Sequence, residues 1–254
     1  MLDGARNRLL NALPREILGD LVRELRPVTF VPGDILQRTS APVEEAYFPT
    51  TGVLSVFATC PAGEGEVGMV GPEGTTALPL LFETDRSLHR IVVQLPGEGF
   101  SMEAAVFRRR LARHPELRSV LLRYAQSWTT HLSQTALSNA RNTVRERLAR
   151  WLLMCHDRLD TTDLWVTHEG LAAALSVRRP GVTVATHELE GDGAIRAKRG
   201  RIHILNRAKL EEAANGSYGL AEREYARLFG DGSAATPRLP ADESARTFQL
   251  RGAA

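Results

Sequence analysis

The chain has 254 residues, 43% hydrophobic and 24% charged, an ordinary globular balance that excludes a largely disordered or fibrous polypeptide. Its 32 basic residues face 30 acidic ones, too small a surplus to indicate a polyanionic partner, so any basic surface must be local. Two cysteines, Cys60 and Cys155, exclude a disulfide framework and, with no Cys-x-x-Cys pair, a zinc or iron–sulfur cluster held by cysteines.

Length alone suggests more than one domain. No apolar run approaches the roughly 18 residues of a membrane span, and the first residues lack the apolar centre of a signal peptide. With so few cysteines, a reducing cytoplasmic location is expected. Residues 7–25 read as helical, with Leu9, Leu10, Leu13, Ile17, Leu18, Leu21, Val22 and Leu25 at three- and four-residue steps and Pro14 as a first-turn proline. From Val28 to about Phe100, short runs rich in Val, Ile, Phe and Thr alternate with Gly and Pro. The clearest strands are 53–58 and 91–95, and the spacing predicts a small antiparallel barrel or roll.

Residues 103–158 return to helical periodicity. A short helix ends near Arg113, and Pro115 opens one of about 25 residues, roughly 37 Å long. Its apolar stripe is Leu117, Leu121, Tyr124, Trp128, Leu132 and Thr135. A seam so narrow suits one partner helix, either in its own domain or, as the length favours, in a second copy of the chain. Another helix follows from Asn142 (Val144, Leu148, Trp151, Leu152, Cys155). Leu164, Trp165 and Val166 form a short strand, and Thr167 caps a helix over 168–175. Ser176 and Val177 make a tight turn into a helix from Arg178 to Glu190, which Gly191, Asp192 and Gly193 stop. A hairpin through 194–205 turns at Arg199 and Gly200. Strand, helix, turn, helix and hairpin in this order describe a winged helix-turn-helix. Beyond Asn215 one helix near 221–229 is expected in an otherwise flexible tail. The fold class is therefore α+β. An antiparallel β-roll with flanking helices covers 7–113, the long helix 114–140, the winged helix-turn-helix 141–213 and the tail 214–254.

Charge now discriminates. Between 178 and 209 lie eight basic and three acidic residues, so this short segment alone exceeds the surplus of the whole chain. The excess sits at the start of the second helix and on the hairpin, the two elements that would meet a duplex, where clustered cations gain by releasing condensed counterions. Within the helix, Arg178, Arg179, Thr183 and His187 fall near one face, while Val182, Val184, Ala185 and Leu189 are expected to pack inward. Arg179 is the best candidate for a base edge, since its forked donors match O6 and N7 of guanine. Thr183 suits a base edge or a thymine methyl, and Arg178 a base or a phosphate. Lys198, Arg199 and Arg201 suit phosphates, which position without reading sequence. Thr167 is first a helix cap and only secondarily a phosphate contact.

The stretch 167–190 (Thr-His-Glu-Gly-Leu-Ala-Ala-Ala-Leu-Ser-Val-Arg-Arg-Pro-Gly-Val-Thr-Val-Ala-Thr-His-Glu-Leu-Glu), with the Gly-Ala-Ile and Arg-Gly-Arg-Ile that follow it, resembles the DNA-binding domain of the Crp/Fnr regulators. Upstream, Val31-Pro32-Gly33-Asp34-Ile35-Leu36, Ala46-Tyr47-Phe48-Pro49, Gly52-Val53 and the run from Val67 to Gly74 are similar to that family's cyclic-nucleotide-binding-like roll. The resemblance spans about 7–213. It implies a homodimeric transcription regulator in which the roll is a sensor and the long helix the dimer contact. Two recognition helices would enter major grooves about 34 Å apart on a two-fold symmetric duplex, with RNA polymerase as a further partner. Departures qualify the transfer. Ser176 stands where the family usually has Gly, and Pro180 and Val184 replace an acidic and a basic DNA-contacting residue of the cyclic-AMP-responsive members, so the target sequence should differ. Alignment puts Ala77-Leu78 and Arg90-Ile91 at the ribose and phosphate pairs, making Leu78 and Arg90 the effector-site positions. Leu78 cannot accept a hydroxyl hydrogen bond, an omission costing about 1–3 kcal/mol, and Arg86-Ser87 restores the second pair only with a shifted gap. Cyclic AMP is therefore not expected to be the effector, and no cofactor is expected.

Three other readings compete. Gly63-Glu64-Gly65-Glu66-Val67-Gly68 spells G-x-G-x-x-G, but Gly71, Pro72 and Gly74 follow too soon for a helix to receive a pyrophosphate. The seven histidines are dispersed, and no nucleophile–base constellation suggests catalysis, so an enzyme is not expected. The remaining alternative is a signalling or sensor adaptor that binds a small ligand or protein without specific DNA binding.

Overall fold

The computed structural model describes residues 7–61 and 63–230. The first apolar stretch is two helices, α1 (Arg8–Asn11) and α2 (Arg15–Val22), divided at Pro14. This proline disfavours helical backbone at Leu13 before it and ends up as the N-cap of α2.

The roll consists of β1 (Arg26–Phe30), β2 (Ile35–Gln37), β3 (Glu45–Pro49), β4 (Val53–Cys60) and β5 (Gly63–Val70), followed by a short α3 (Leu78–Leu81), then β6 (His89–Leu95) and β7 (Gly97–Glu103). Two antiparallel sheets form, ordered β1-β7-β3 and β2-β6-β4-β5, closing over Phe30, Leu54, Val56, Val70, Ile91 and Val93. The glycine-rich run is a strand: Gly63 pairs with Cys60 and Gly68 with Val56. Its glycines serve close approach. A Cβ on Gly68 would lie 2.8 Å from the Trp128 ring, and one on Gly65 would lie 2.4 Å from Ser176 Oγ.

After α4 (Ala104–Arg113) comes α5 (Pro115–Arg141), 27 residues long, or about 40 Å at 1.5 Å per residue. Leu117, Leu121 and Tyr124 pack into a second cluster with Leu9, Leu21, Phe48 and Phe107. Then follow α6 (Val144–His156), β8 (Asp163–Leu164), α7 (His168–Ala174), α8 (Arg179–Gly191), β9 (Ile195–Lys198), β10 (Arg201–Ile204), α9 (Arg207–Ala213) and α10 (Leu220–Phe229). Thr143 opens α6 through a reciprocal capping box with Glu146, and the third sheet runs β8-β10-β9. This unit shares its core with the roll: Val53, Met69 and Leu95 belong to the same buried cluster as Leu152, Leu171, Val182 and Leu189.

Within the stretch 214–254 the helix expected near 221–229 is α10 (Leu220–Phe229). Helix α10 lies against α5, where Arg123 Nη1 donates to the Leu228 carbonyl (3.2 Å) and the guanidinium sits 5.3 Å over the Phe229 ring. Residues 231–254, the rest of that expectation, lie outside the described residues. Among the described residues no helix is long and apolar enough to cross a membrane, and no group of three or more His, Cys, Asp or Glu side chains could hold a metal ion.

Candidate nucleic-acid interface

The helix–turn–helix is built by local chemistry. Thr167 caps α7, its hydroxyl accepting from Gly170 N (3.1 Å) and so satisfying one of the unpaired donors of the first turn. The turn is made by Ser176 in the left-handed region at φ 51°, the conformation that favours Gly at this place. Arg178 is the N-cap of α8, and Pro180 falls in its first turn, where its missing N–H costs nothing.

Val182, Ala185, Thr186 and Leu189 form the buried face of α8. Their spacing of three, one and three residues leaves the opposite side to Pro180, Val184 and His187, with Thr183 and Arg179 on the flank between. Val184 therefore does not pack inward as composition suggests. It lies about 200° around the helix from Val182 and is 58% exposed.

On that flank Arg179 Nε pairs with Glu169 Oε1 of α7 at 2.9 Å, both side chains being two-thirds exposed. One donor is engaged while the terminal amines stay available. Thr183 Oγ1 donates to the Arg179 carbonyl (3.2 Å) and lies 3.2 Å from His168 Nδ1. His187 Nδ1 approaches Glu190 Oε2 at 3.5 Å.

The wing turns at Gly200, φ 72°. Register pairs Arg201 with Lys198 and His203 with Arg196, so these four side chains share one sheet face. Arg201 donates to both carboxylate oxygens of Asp163 (2.8 and 2.6 Å) and sits 5.3 Å over the Trp165 ring. These hydrogen bonds, with a 2.7 Å contact from His203, hold the Asp163 carboxyl below its usual range. Arg201 is thus a structural brace of the wing as well as a cation. Arg178, Arg196, Lys198 and Arg199 are exposed and make no ion pair among the described residues. Arg196 joins the exposed cations of this surface without having been singled out in the sequence, and Val184, there placed both at a family contact position and in the core, lies on its outer side. The pleat shared with Lys198 could have found the first, and helical phase the second.

The other expected sites are placed differently. Leu78 is buried among the helices that flank the roll. Arg90 Nε pairs with Glu64 Oε2 at 3.0 Å, its guanidinium 4.8 Å over Phe57. Neither lines the small pocket in the roll bounded by Gln37, Glu45, Tyr47, Thr76, Ser87 and Ile91. Along α5, Leu117, Leu121 and Tyr124 are consumed by the chain's own core, while Trp128, Leu132 and Thr135 are half-buried. Trp128 stacks on His131, and Thr135 Oγ1 accepts from Arg150 Nη2 at 3.2 Å. The exposed large apolar residues of this helix are Leu122 and Leu137 instead.

Comparison with known proteins decides the type of module. Residues 146–213 match the Crp-like helix-turn-helix domain. That segment is a Crp-like helix-turn-helix domain, and the chain as a whole shares its fold with solved Crp/Fnr regulators. FixK2 from Bradyrhizobium japonicum shares the fold at TM-score 0.63 and 15% identity, over 74% of this chain and 96% of its own. The c-di-GMP-responsive global regulator CLP of Xanthomonas campestris does so at 0.59 and 16%, over 76% and 100%. A CRP-family transcriptional regulator from Thermus thermophilus aligns at 0.52 and 21%, over 74% and 97%. No curated protein matches the chain. Within this Crp-like helix-turn-helix domain, α8 is the second helix of the motif and β9–β10 the hairpin that follows it.

Proposed function

We propose that the regulator binds a two-fold symmetric DNA site as a homodimer in the cytoplasm, with the outer face of α8 in the major groove and the wing on phosphates. Arg179 reads a guanine edge, Thr183 and His187 lie along the same face, and Arg178, Lys198, Arg199 and Arg196 neutralise backbone charge. Thr167, at the start of α7, adds a phosphate contact, and Arg201 holds the wing strand in place. The observation that carries this reading is the joint exposure of the α8 face and of four cations, Arg178 at its N-cap and Arg196, Lys198 and Arg199 on the wing, that make no ion pair among the described residues. Phosphate contacts of this kind position the module, and base-edge contacts from the helix between them specify the sequence.

The roll is the sensor, but its effector is not cyclic AMP, because Leu78 and Arg90 are committed to the protein's own packing and pairing. In this reading the protein is a regulator that meets RNA polymerase rather than an enzyme, and it is not a DNA-independent adaptor. Selection from genomic fragments followed by mobility shift tests it. A two-fold related motif should be enriched, and Arg179→Ala should weaken binding to it by about 1–3 kcal/mol while relaxing preference at one symmetric position. No enriched motif, together with unchanged affinity in Arg179→Ala, would falsify the proposal.

A further inference from the structure

Beside the Arg179–Thr183–His187 strip of α8 runs a second one, Pro180–Val184–Glu188. Its first two members are apolar and exposed, Val184 at 58%. A valine left in water forgoes the stabilisation that burial brings, and here it stands on the side of the helix turned away from the domain's core. Thr183, next to it, has its hydroxyl committed to the Arg179 carbonyl and to His168, which leaves its methyl as the group to offer outward. Glu188, the charged member of the strip, falls a full turn further from the helix N-terminus.

Resting on the DNA-binding reading above, we infer that Val184, with Pro180 and the Thr183 methyl, reads the 5-methyl groups of thymines next to the guanine met by Arg179. In the major groove only thymine presents an apolar group, and an apolar side chain is its natural complement. Charge complementarity argues for DNA as the occupant of this apolar strip. The exposed cations Arg178 at one end of the helix and Arg196, Lys198 and Arg199 on the wing flank it, and phosphates flank thymine methyls in the same way. The preferred half-site is therefore a guanine beside one or more T·A pairs read from the thymine side.

The test compares the selected duplex with versions carrying deoxyuridine in place of single half-site thymines, a change that removes the methyl and nothing else. Binding by the full chain and by Val184→Ala is measured by mobility shift at one salt concentration, with a thermal melt to confirm that the exposed substitution leaves the fold intact. At the critical position deoxyuridine should weaken wild-type binding about fourfold per methyl, or about fifteenfold for the symmetric pair, the value of one or two buried methyl groups. Val184→Ala should bind thymine and uracil duplexes alike. If a two-fold motif is enriched and depends on Arg179 but deoxyuridine has no effect at any position, thymine reading is wrong and DNA recognition by α8 stands. A uracil effect that persists undiminished in Val184→Ala also overturns it, by assigning the methyl to another group. If Val184→Ala binds every duplex as the wild type does, the strip is a protein contact. Failure to enrich any motif removes both proposals.

Discussion

The electrostatic side of the interface makes a quantitative prediction. Arg178, Arg196, Lys198 and Arg199 are exposed and unpaired among the described residues, whereas Arg201 is neutralised by Asp163 and Arg207 by Asp157 and Glu211. In the proposed dimer these make about eight free cations, and at roughly −0.9 per neutralised phosphate the plot of log K against log salt should have a slope of about −7. Between 50 and 200 mM salt, affinity should then fall by about four orders of magnitude. Replacing Arg196, Lys198 and Arg199 together by glutamine leaves two cations per dimer, a slope of about −2 and a loss of only about tenfold over the same range. The wing strands are held by Ile195, Ile202 and Ile204, which are buried, so this triple variant should stay folded. Fluorescence-anisotropy titrations at five or six salt concentrations measure both slopes. A triple variant with the wild-type slope would refute the reasoning, since the phosphate-bearing surface would then lie elsewhere.

Two further predictions concern the joint between roll and winged domain. Glu66 of β5 is buried, accepts from Trp151 Nε1 of α6 at 3.1 Å and pairs with Ser55, and burial pushes its carboxyl up to about 7 despite Arg150 and Arg158 nearby. Because the folded chain holds a proton that the unfolded chain releases near 4.5, this group favours the fold at low pH. That contribution, on the order of 3 kcal/mol, is lost as pH rises towards 7. Scanning calorimetry should show Glu66→Gln gaining on the wild type from pH 5.5 to 8, and parallel curves would count against the assignment. At the other end of α6, Arg158 is 9% exposed and donates to Glu73 Oε1 from Nε (2.8 Å). Glu73→Gln strands that guanidinium without its counter-charge, so urea midpoints should report a loss of about 3–5 kcal/mol; a loss below about 1 kcal/mol would show the pair to be dispensable.

Most of the architecture was legible because its signals are local: the Thr167 cap, the Arg199-Gly200 turn, the β-branched and aromatic runs of β4 and β6, and the periodicity of α5 and α8. What escaped depends on partners far along the chain. The α5 periodicity shows that one face is covered, but not by what, and Leu117, Leu121 and Tyr124 meet Leu9, Phe48 and Phe107 of the same chain. The neutralisation of Arg201 comes from Asp163, 38 positions earlier, and no charge count along a segment can reveal it. Glu169 is closer to Arg179, yet only the angle between α7 and α8 brings their side chains together. Val184 was misplaced for a different reason. Its residue type reads as core, and helical phase, which was available in the sequence, overrides residue type at the edge of an amphipathic face.

The winged domain is not suspended from the long helix alone. Val53, Met69 and Leu95 of the roll are buried in the same cluster as Val182 and Leu189 of α8, and Gly65 of β5 admits the Ser176 side chain at the turn that sets the angle between α7 and α8. Arg147 donates to the Leu175 carbonyl, and Glu66 ties β5 to Trp151. Close-packed interfaces of this kind transmit displacement, because a gap of even half an ångström forfeits a sizeable part of the dispersion contact. A movement of the β4–β5 pair must therefore either carry the turn and α8 with it or break the shared core. The direction in which Arg179 and Val184 point is thus set partly by the roll, and the strands of the roll also hold α8.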